Sequence, residues 1–295
     1  MDNPFKKISI IGLGLIGGSI GLATRRYDKK IHIQGFAKNQ STLDVATSRG
    51  FVDEAFLNLR QIDSDTDLVI LASPLSTFKN IVEEILPFLK DDCVITDTGS
   101  AKCRVIAEIE SILPDNLHFI PGHPIAGTEM SGPESGFEEL FDNRWCILTP
   151  SKNTNVHKLN EIKIFWENLG AMIEIMDPIY HDKVLAITSH LPHLIAFTIV
   201  GTASDLEHDL KNDVIRFSAS GFRDFTRIAA SDPTMWRDVF LNNDEAVLEM
   251  LQRFTEDLAF LQKAINQREG DKLLNLFKRT GEIRRSIIDI GFAKE

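Results

Sequence analysis

Gly12-Leu13-Gly14-Leu15-Ile16-Gly17 follows the apolar run Lys7 to Ile11 (KISII) and opens a stretch of helical spacing from Ile16 to Arg26. A glycine turn of this spacing between strand and helix confines the chain to a strand–helix–strand unit built around a ligand. Gly12 permits the tight turn, Gly14 lets the backbone approach a pyrophosphate, and Gly17 lets the helix pack closely on the strand. The helix N-terminus, with its unpaired N–H groups and dipole, then receives the anion. The turn predicts a dinucleotide site in which Leu15 and Ile16 belong to the opening helix. Ser73, just past a later strand, is placed on the same cofactor side.

The next segments extend the alternation. Ile31 to Phe36 reads as a second strand, followed by a helix capped near Ser41. Leu68 to Ala72 is a third, followed by the amphipathic stretch Thr77 to Leu89. Val94 to Thr96 is a fourth, then a helix from Ala101 to Ile112, and His118 to Pro121 is a fifth. Short apolar strands alternating with helices imply an α/β fold with a doubly wound, mostly parallel sheet. Two more strand-like runs, Cys146 to Thr149 and Ala171 to Met176, bracket a helix that includes Phe165 and Trp166. After Asp177-Pro178 the texture changes. From Tyr180 onward the pattern is helical, clearest at Asn242 to Asn266 and Asp271 to Ile290. The expected division is a dinucleotide-binding Rossmann-like domain at 1–178 and an all-helical domain at 179–295. Apolar surface on the second points to a homodimer.

A net charge of −11 over 295 residues argues against nucleic acid as the main partner. Cys93, Cys103 and Cys146 are odd in number and lack metal or redox spacing, which fits a reducing compartment. The start, Met1 to Lys7, is polar and has no signal-peptide pattern. No apolar run is read as long enough to span a bilayer, so the expected location is cytoplasmic with no membrane partner.

The segment Gly122-His123-Pro124-Ile125-Ala126-Gly127-Thr128-Glu129 puts a histidine where a parallel strand is expected to run out into a loop. In an open α/β sheet that edge is where ligands bind. A dinucleotide and a titratable group on one sheet edge point to redox chemistry. An NAD site usually ends its second strand on Asp or Glu, accepting from the ribose hydroxyls. Here the region reads Gly35-Phe36-Ala37-Lys38-Asn39, without a carboxylate. Lys38 is either a contact for a 2′-phosphate or a solvated surface charge, and the cofactor reading leans slightly to NADP. His190 and His193 stand at HxxH spacing. Pro192 between them and the absence of a nearby carboxylate ligand argue against a metal.

Five segments together carry a family resemblance: Gly12 to Ser19 (GLGLIGGS), Asp97 to Lys102 (DTGSAK), Gly122 to Glu129 (GHPIAGTE), Ser189 to His193 (SHLPH) and Gly221 to Trp236 (GFRDFTRIAASDPTMW). In this order they resemble the prephenate/arogenate (cyclohexadienyl) dehydrogenase family of tyrosine biosynthesis, over nearly the whole chain. The resemblance implies a helical second domain that supplies substrate contacts and most of a dimer interface. It implies NAD(P)-dependent oxidative decarboxylation of prephenate, arogenate or both. His123 matches the catalytic histidine, and Ser100 a serine near the substrate hydroxyl and the nicotinamide. A helix N-cap is the bland role for Ser100; Lys102 reads as a cation supporting the site from behind or, by preference, as a charge on a solvated face. Arg227 matches the arginine that grips a substrate carboxylate, against the alternative of pairing with Asp224 or Asp232. His193 and His190 line the active site by resemblance, or are hydrogen-bonded helix-terminal histidines. Thr128 and Glu129 are placed at the substrate's side-chain end, where arogenate carries an ammonium and prephenate a keto group. Trp236 reads as core packing.

The segments before Lys7 and after Ile290 leave no room for a fused mutase or regulatory domain, so tyrosine feedback is expected to act at the active site. Two other readings compete. A β-hydroxyacid-type dehydrogenase shares the glycine turn but is expected to use a lysine on its helical domain. A non-catalytic dinucleotide sensor on this fold has no need of His123, Ser100 and Arg227 together.

Overall fold

The computed structural model describes residues 3–205 and 220–291. Six parallel strands form the main sheet: β1 (Lys7–Ile11), β2 (His32–Phe36), β3 (Glu54–Phe56), β4 (Leu68–Leu71), β5 (Val94–Asp97) and β6 (His118–Ile120). Their order is β3-β2-β1-β4-β5-β6. Strand order reverses between β1 and β4, which opens a crevice at their C-terminal ends. The edge strand β3 was not foreseen, because three partly exposed residues carry no apolar run. Both faces of the sheet are covered, as parallel sheets require. Leu68 and Ile70 of β4 point into one apolar core with Ile8, Ile10, Phe51 and Trp166. Val69 and Leu71 point into the other, with Phe36, Phe78, Ile95 and Trp236.

Helices α1 (Leu15–Tyr27), α2 (Gln40–Ser48), α3 (Phe78–Ile85), α4 (Cys103–Glu110) and α5 (Val156–Asn168) supply that cover. The N-cap of α2 is Asn39, close to the expected position near Ser41, and it makes no side-chain capping bond. A second sheet joins β7 (Gly122–Pro124), β8 (Trp145–Leu148) and β9 (Met172–Ile175). This corrects the loop expectation for His123, which lies on β7 opposite Ile147 in an antiparallel pairing. A three-residue strand ending in Pro124 has too little periodicity to be read from sequence.

Past Asp177 the chain is helical: α6 (Pro178–Leu185), a π turn (Ala186–His190), α7 (Leu191–Ser204), α8 (Ser220–Thr226), a 3₁₀ turn (Arg227–Ala230), α9 (Pro233–Asn242), α10 (Asp244–Asn266) and α11 (Gly270–Gly291). Part of the expected helical stretch, 206–219, lies outside the described residues. The 27-residue run Pro178–Ser204 corrects another expectation: it contains an 18-residue window of mean hydropathy 1.6, so by length and composition alone it passes as long and apolar enough to cross a membrane. Pro178, Pro192 and the interspersed His181, Asp182, His190 and His193 disguise it as several short pieces.

By internal packing the chain divides into two compact units, Met1–Val247 and Leu248–Glu295. The second contains the remainder of α10 and α11. The turn between them puts Arg268 at φ +53. The N–H of Glu269 bonds the Ala264 carbonyl and that of Arg268 the Ile265 carbonyl, a Schellman closure. Leu258, Phe260, Leu274 and Phe277 on this unit are exposed.

Candidate active site

The dinucleotide end of the site is made of backbone. Gly12 sits at φ +103, and a Cβ there would meet the Ala72 carbonyl carbon and Ser73 nitrogen at 2.5 and 2.6 Å. The β1 turn and the end of β4 thus touch at the crevice, with Ser73 beside them. Gly17 faces the Gly12 carbonyl so closely that no side chain fits. At Gly14 a Cβ would meet nothing within 4 Å, and this N-cap of α1 receives no side-chain hydrogen bond. Open space against an uncapped helix start suits a pyrophosphate, so the residues present fit a dinucleotide. Leu15 and Ile16 are half-buried against the first core. Lys38 is exposed past β2 and forms no ion pair among the described residues.

The opposite end is made of buried polar side chains. Lys102 is fully buried: its Nζ donates to Asp97 Oδ2 at 2.5 Å and to the Gly122 carbonyl at 2.7 Å. Asp97 Oδ2 accepts the Gly99 N–H at 2.8 Å and Oδ1 the Gly122 N–H at 3.2 Å. The expectation of a solvated lysine is therefore wrong. The ammonium ties the end of β5 and the DTGSAK segment to the start of β7, one residue before His123. Its desolvation is offset by the carboxylate and the carbonyl together.

Ser100 lies between these ties. It does not cap α4, whose N-cap is Lys102 without a side-chain bond. Asp182 of α6 takes that role, accepting the N–H of Lys102 on Oδ1 and of Cys103 on Oδ2, each at 2.9 Å. His181 Nδ1 lies 2.8 Å from Asp182 Oδ1, and His181 Nε2 lies 2.9 Å from Nδ1 of His123. His123 is 7% exposed and His181 fully buried. Burial, then the neighbouring His181 and Lys102, hold the His123 imidazole well below the usual histidine range. Burial also lowers His181, against the pull of Asp182. At Asp182 burial acts to raise the carboxyl, but the bonds from His181 and Cys103 outweigh it and leave the group lowered.

An unbroken α-helix turns about 100° per residue, which would set His190 opposite His181. The π turn takes up an extra residue and swings it round. Asn243 Nδ2 then donates both to the Asp182 carbonyl at 2.8 Å and to His190 Nδ1 at 3.0 Å. His190 is fully buried, and burial lowers it to about 4, opposed chiefly by the Asp182 carboxylate. His193 Nδ1 donates to the Ser189 carbonyl at 2.9 Å, and its ring stacks on Trp236 at 3.6 Å. Trp236 is thus buried core, as expected, and also a platform for His193. Burial lowers His193, and Arg227 nearby lowers it further. Arg227 is 58% exposed and donates from Nη1 to Glu129 Oε2 at 2.6 Å. Neither Asp224 nor Asp232 is its partner among the described residues. Thr128 is exposed and accepts the Met130 N–H at 3.2 Å.

Residues 20–175 match the family model described as prephenate dehydrogenase, nucleotide-binding domain, and residues 177–279 match prephenate dehydrogenase, dimerization domain. The chain belongs to the prephenate dehydrogenase family. A cyclohexadienyl dehydrogenase of Zymomonas mobilis is 39% identical over 283 residues, 96% of either chain. The crystal structure of Aquifex aeolicus prephenate dehydrogenase in complex with hydroxyphenyl propionate and NAD+ superimposes with a TM-score of 0.91 at 35% identity, covering 97% of this chain and 100% of that one. Synechocystis arogenate dehydrogenase gives a TM-score of 0.79 at 29% identity, covering 95% and 99%.

Within this prephenate dehydrogenase fold, residues that the sequence motifs left out stand at the centre. They are His181, Asp182 and Asn243, and they stand beside the Asp97–Lys102 pair, whose two residues open and close the DTGSAK motif. The one signal for the first two was an adjacent His-Asp just after the Asp177-Pro178 helix start. Asp177 caps α6 through the N–H groups of Ile179 and Tyr180 at 2.9 and 3.1 Å, which places His181 and Asp182 on its first turns.

Proposed function

We infer that this chain catalyses NAD(P)-dependent oxidative decarboxylation of prephenate, arogenate or both, as a step of tyrosine biosynthesis. The observation that carries the reading is a buried imidazole, His123, held at the sheet edge one residue from the lysine-tied start of β7, where burial favours its neutral form. A bound nicotinamide supplies the hydride acceptor. His123 takes the proton of the ring hydroxyl as hydride leaves the same carbon, a role typically worth 10²- to 10⁴-fold. The C–C bond to the ring carboxylate breaks, its electron pair completes the aromatic ring, and carbon dioxide departs. Ser100 borders the hydroxyl and the nicotinamide, and its segment is immobilised by Asp97, Lys102 and Asp182. Arg227 offers a planar fork to a substrate carboxylate, with His193 beside it and His190 behind. In the free protein Glu129 occupies that fork, so a carboxylate entering the site exchanges with it. Thr128 and Glu129 then face the side-chain end of the substrate, where Glu129 favours the ammonium of arogenate.

The finer assignments rest on single features. An exposed Lys38 after a β2 end without a carboxylate supports NADP over NAD. Exposed apolar residues on α10 and α11, together with the family's dimerization domain, support a homodimer. Tyrosine, which shares the ring and side chain of arogenate, is proposed to inhibit at this same site. Three free cysteines support a reducing, cytoplasmic setting.

The test follows reduced-cofactor absorbance while crossing both cyclohexadienols with both cofactors. Turnover in at least one combination is expected, lost by about 10³-fold in His123→Asn with little change in KM. Silence in all four combinations with dinucleotide binding intact would defeat the reading.

A further inference from the structure

Asp182, His181 and His123 form a chain of hydrogen bonds in which each proton has one place to go. The Asp182 carboxylate accepts from two backbone N–H groups at the start of α4 and from the His181 ring. An ionised carboxylate has no proton to give, so His181 carries its own on Nδ1. A neutral His181 is then an acceptor at Nε2, and the group facing it is Nδ1 of His123 at 2.9 Å. His123 must donate there, which leaves its lone pair on Nε2. We propose that His181 and Asp182 are positioning residues that lock His123 in the tautomer whose Nε2 accepts the substrate's hydroxyl proton. This rests on His123 being the base.

The surroundings enforce the arrangement. The buried Lys102 ammonium, compensated by Asp97, stands on one side, and His190 and the protonated Cys103 thiol on the others. Burial raises that thiol to about 12, with Asp182 adding to the effect. A resident positive charge on either ring is disfavoured beside Lys102, so both rings start neutral. When His123 takes the proton, its Nδ1–H still points at His181, whose own N–H points at the Asp182 carboxylate. The new charge therefore meets a preplaced anion two links away, as in a histidine oriented by a buried aspartate. The same carboxylate caps α4 immediately after Ser100, so one group fixes the base and the segment opposite it.

The experiment uses the full chain and compares His181→Leu, His181→Gln, Asp182→Asn and His123→Asn. The two His181 variants leave the α4 cap in place. In His181→Leu, kcat is expected to fall by about 10²-fold, with substrate KM and dinucleotide affinity within about threefold. His181→Gln offers a carbonyl to the His123 N–H and should recover about tenfold of that loss. Asp182→Asn removes the anion that favours imidazolium, so the acid limb of kcat/KM should move to lower pH, which a merely structural loss would not do. In a His123→Asn background, His181→Leu should cost less than about threefold more. Equal impairment of His181→Leu and His181→Gln, or an unmoved acid limb in Asp182→Asn, overturns the proposal. So does a His181→Leu kcat within threefold of the parent. An inactive His123→Asn with a normal His181→Leu defeats the positioning role alone, whereas an active His123→Asn defeats the base and its positioning together.

Discussion

The turn from β1 into α1 and the helix from Pro178 to Ser204 serve one crevice by opposite means. At the first, side chains are absent where a ligand must come close. At the second, titratable side chains are buried and bonded to one another. A site of the first kind fails when atoms are added, and one of the second kind when a partner is removed. The glycine turn is also self-contained within six residues. His123 and His181, by contrast, are 58 residues apart in sequence.

The largest test of this contrast compares two glycines three residues apart. In Gly17→Ala the new Cβ runs into the Gly12 carbonyl. Helix propensity returns about 1 kcal/mol, but a backbone clash of this kind costs about 3 kcal/mol or more, and dinucleotide binding should disappear with the turn. Gly14→Ala places its Cβ in open space, so stability should change by about 1 kcal/mol or less, while dinucleotide affinity falls about tenfold. Denaturation midpoints and dinucleotide titrations separate the two. Equal losses in both variants would show that Gly14 is structural too.

The buried histidines answer to pH. The lowered group at His190, about 4 in the folded chain, returns to about 6.5 on unfolding. Between these values the unfolded chain binds more protons, so stability is full above about 6.5 and is lost as pH falls toward 4. His190 alone contributes on the order of 3 kcal/mol by this linkage, and His123 and His181 act in the same direction. Urea midpoints from pH 7 down to 4 should drop less steeply in His190→Gln than in the parent. Parallel slopes would mean that His190 is solvated in solution.

Arg227 belongs to neither extreme, being exposed and paired with Glu129. Such a pair adds little stability, so Arg227→Ala should leave the denaturation midpoint nearly unchanged. Loss of a charge-assisted bond to a carboxylate, worth about 1.5–3 kcal/mol, should raise substrate KM by about 10- to 100-fold with kcat less affected. Unchanged KM would reassign Arg227 to holding Glu129.

Legibility in the sequence follows the same division. β1, β2, β4 and β5 were readable as apolar runs between turn signals, because strands buried on both faces carry their own pattern. The glycine turn, His123, Ser100 and Arg227 were readable through local motifs. β3 and β7 were not, since Glu54-Ala55-Phe56 and Gly122-His123-Pro124 form no apolar run, unlike the equally short β6, which was read. Lys102 was misread as solvated because its partners, Asp97 and the Gly122 carbonyl, are brought to it only by strand order. The capping role of Asp182 was hidden for the same reason: the His-Asp pair hints at a polar site, but nothing near position 182 announces that the N-terminus of α4, 80 residues earlier, needs a cap.

The smallest expected effect lies outside the site, where α10 turns into α11. Arg268 occupies the left-handed position of a Schellman closure at φ +53, a place most helices give to glycine. A side chain there costs about 1 kcal/mol in backbone strain. Glycine at this position also frees the unfolded chain, which offsets several tenths of that gain. Arg268→Gly should therefore raise stability by about 0.5 kcal/mol and leave kcat and KM alone. A larger gain would mean that the arginine itself is held under strain. A loss would mean that its side chain makes a contact in the assembled protein that outweighs the turn, and that the α10–α11 unit depends on side-chain bonding as the Pro178–Ser204 helix does.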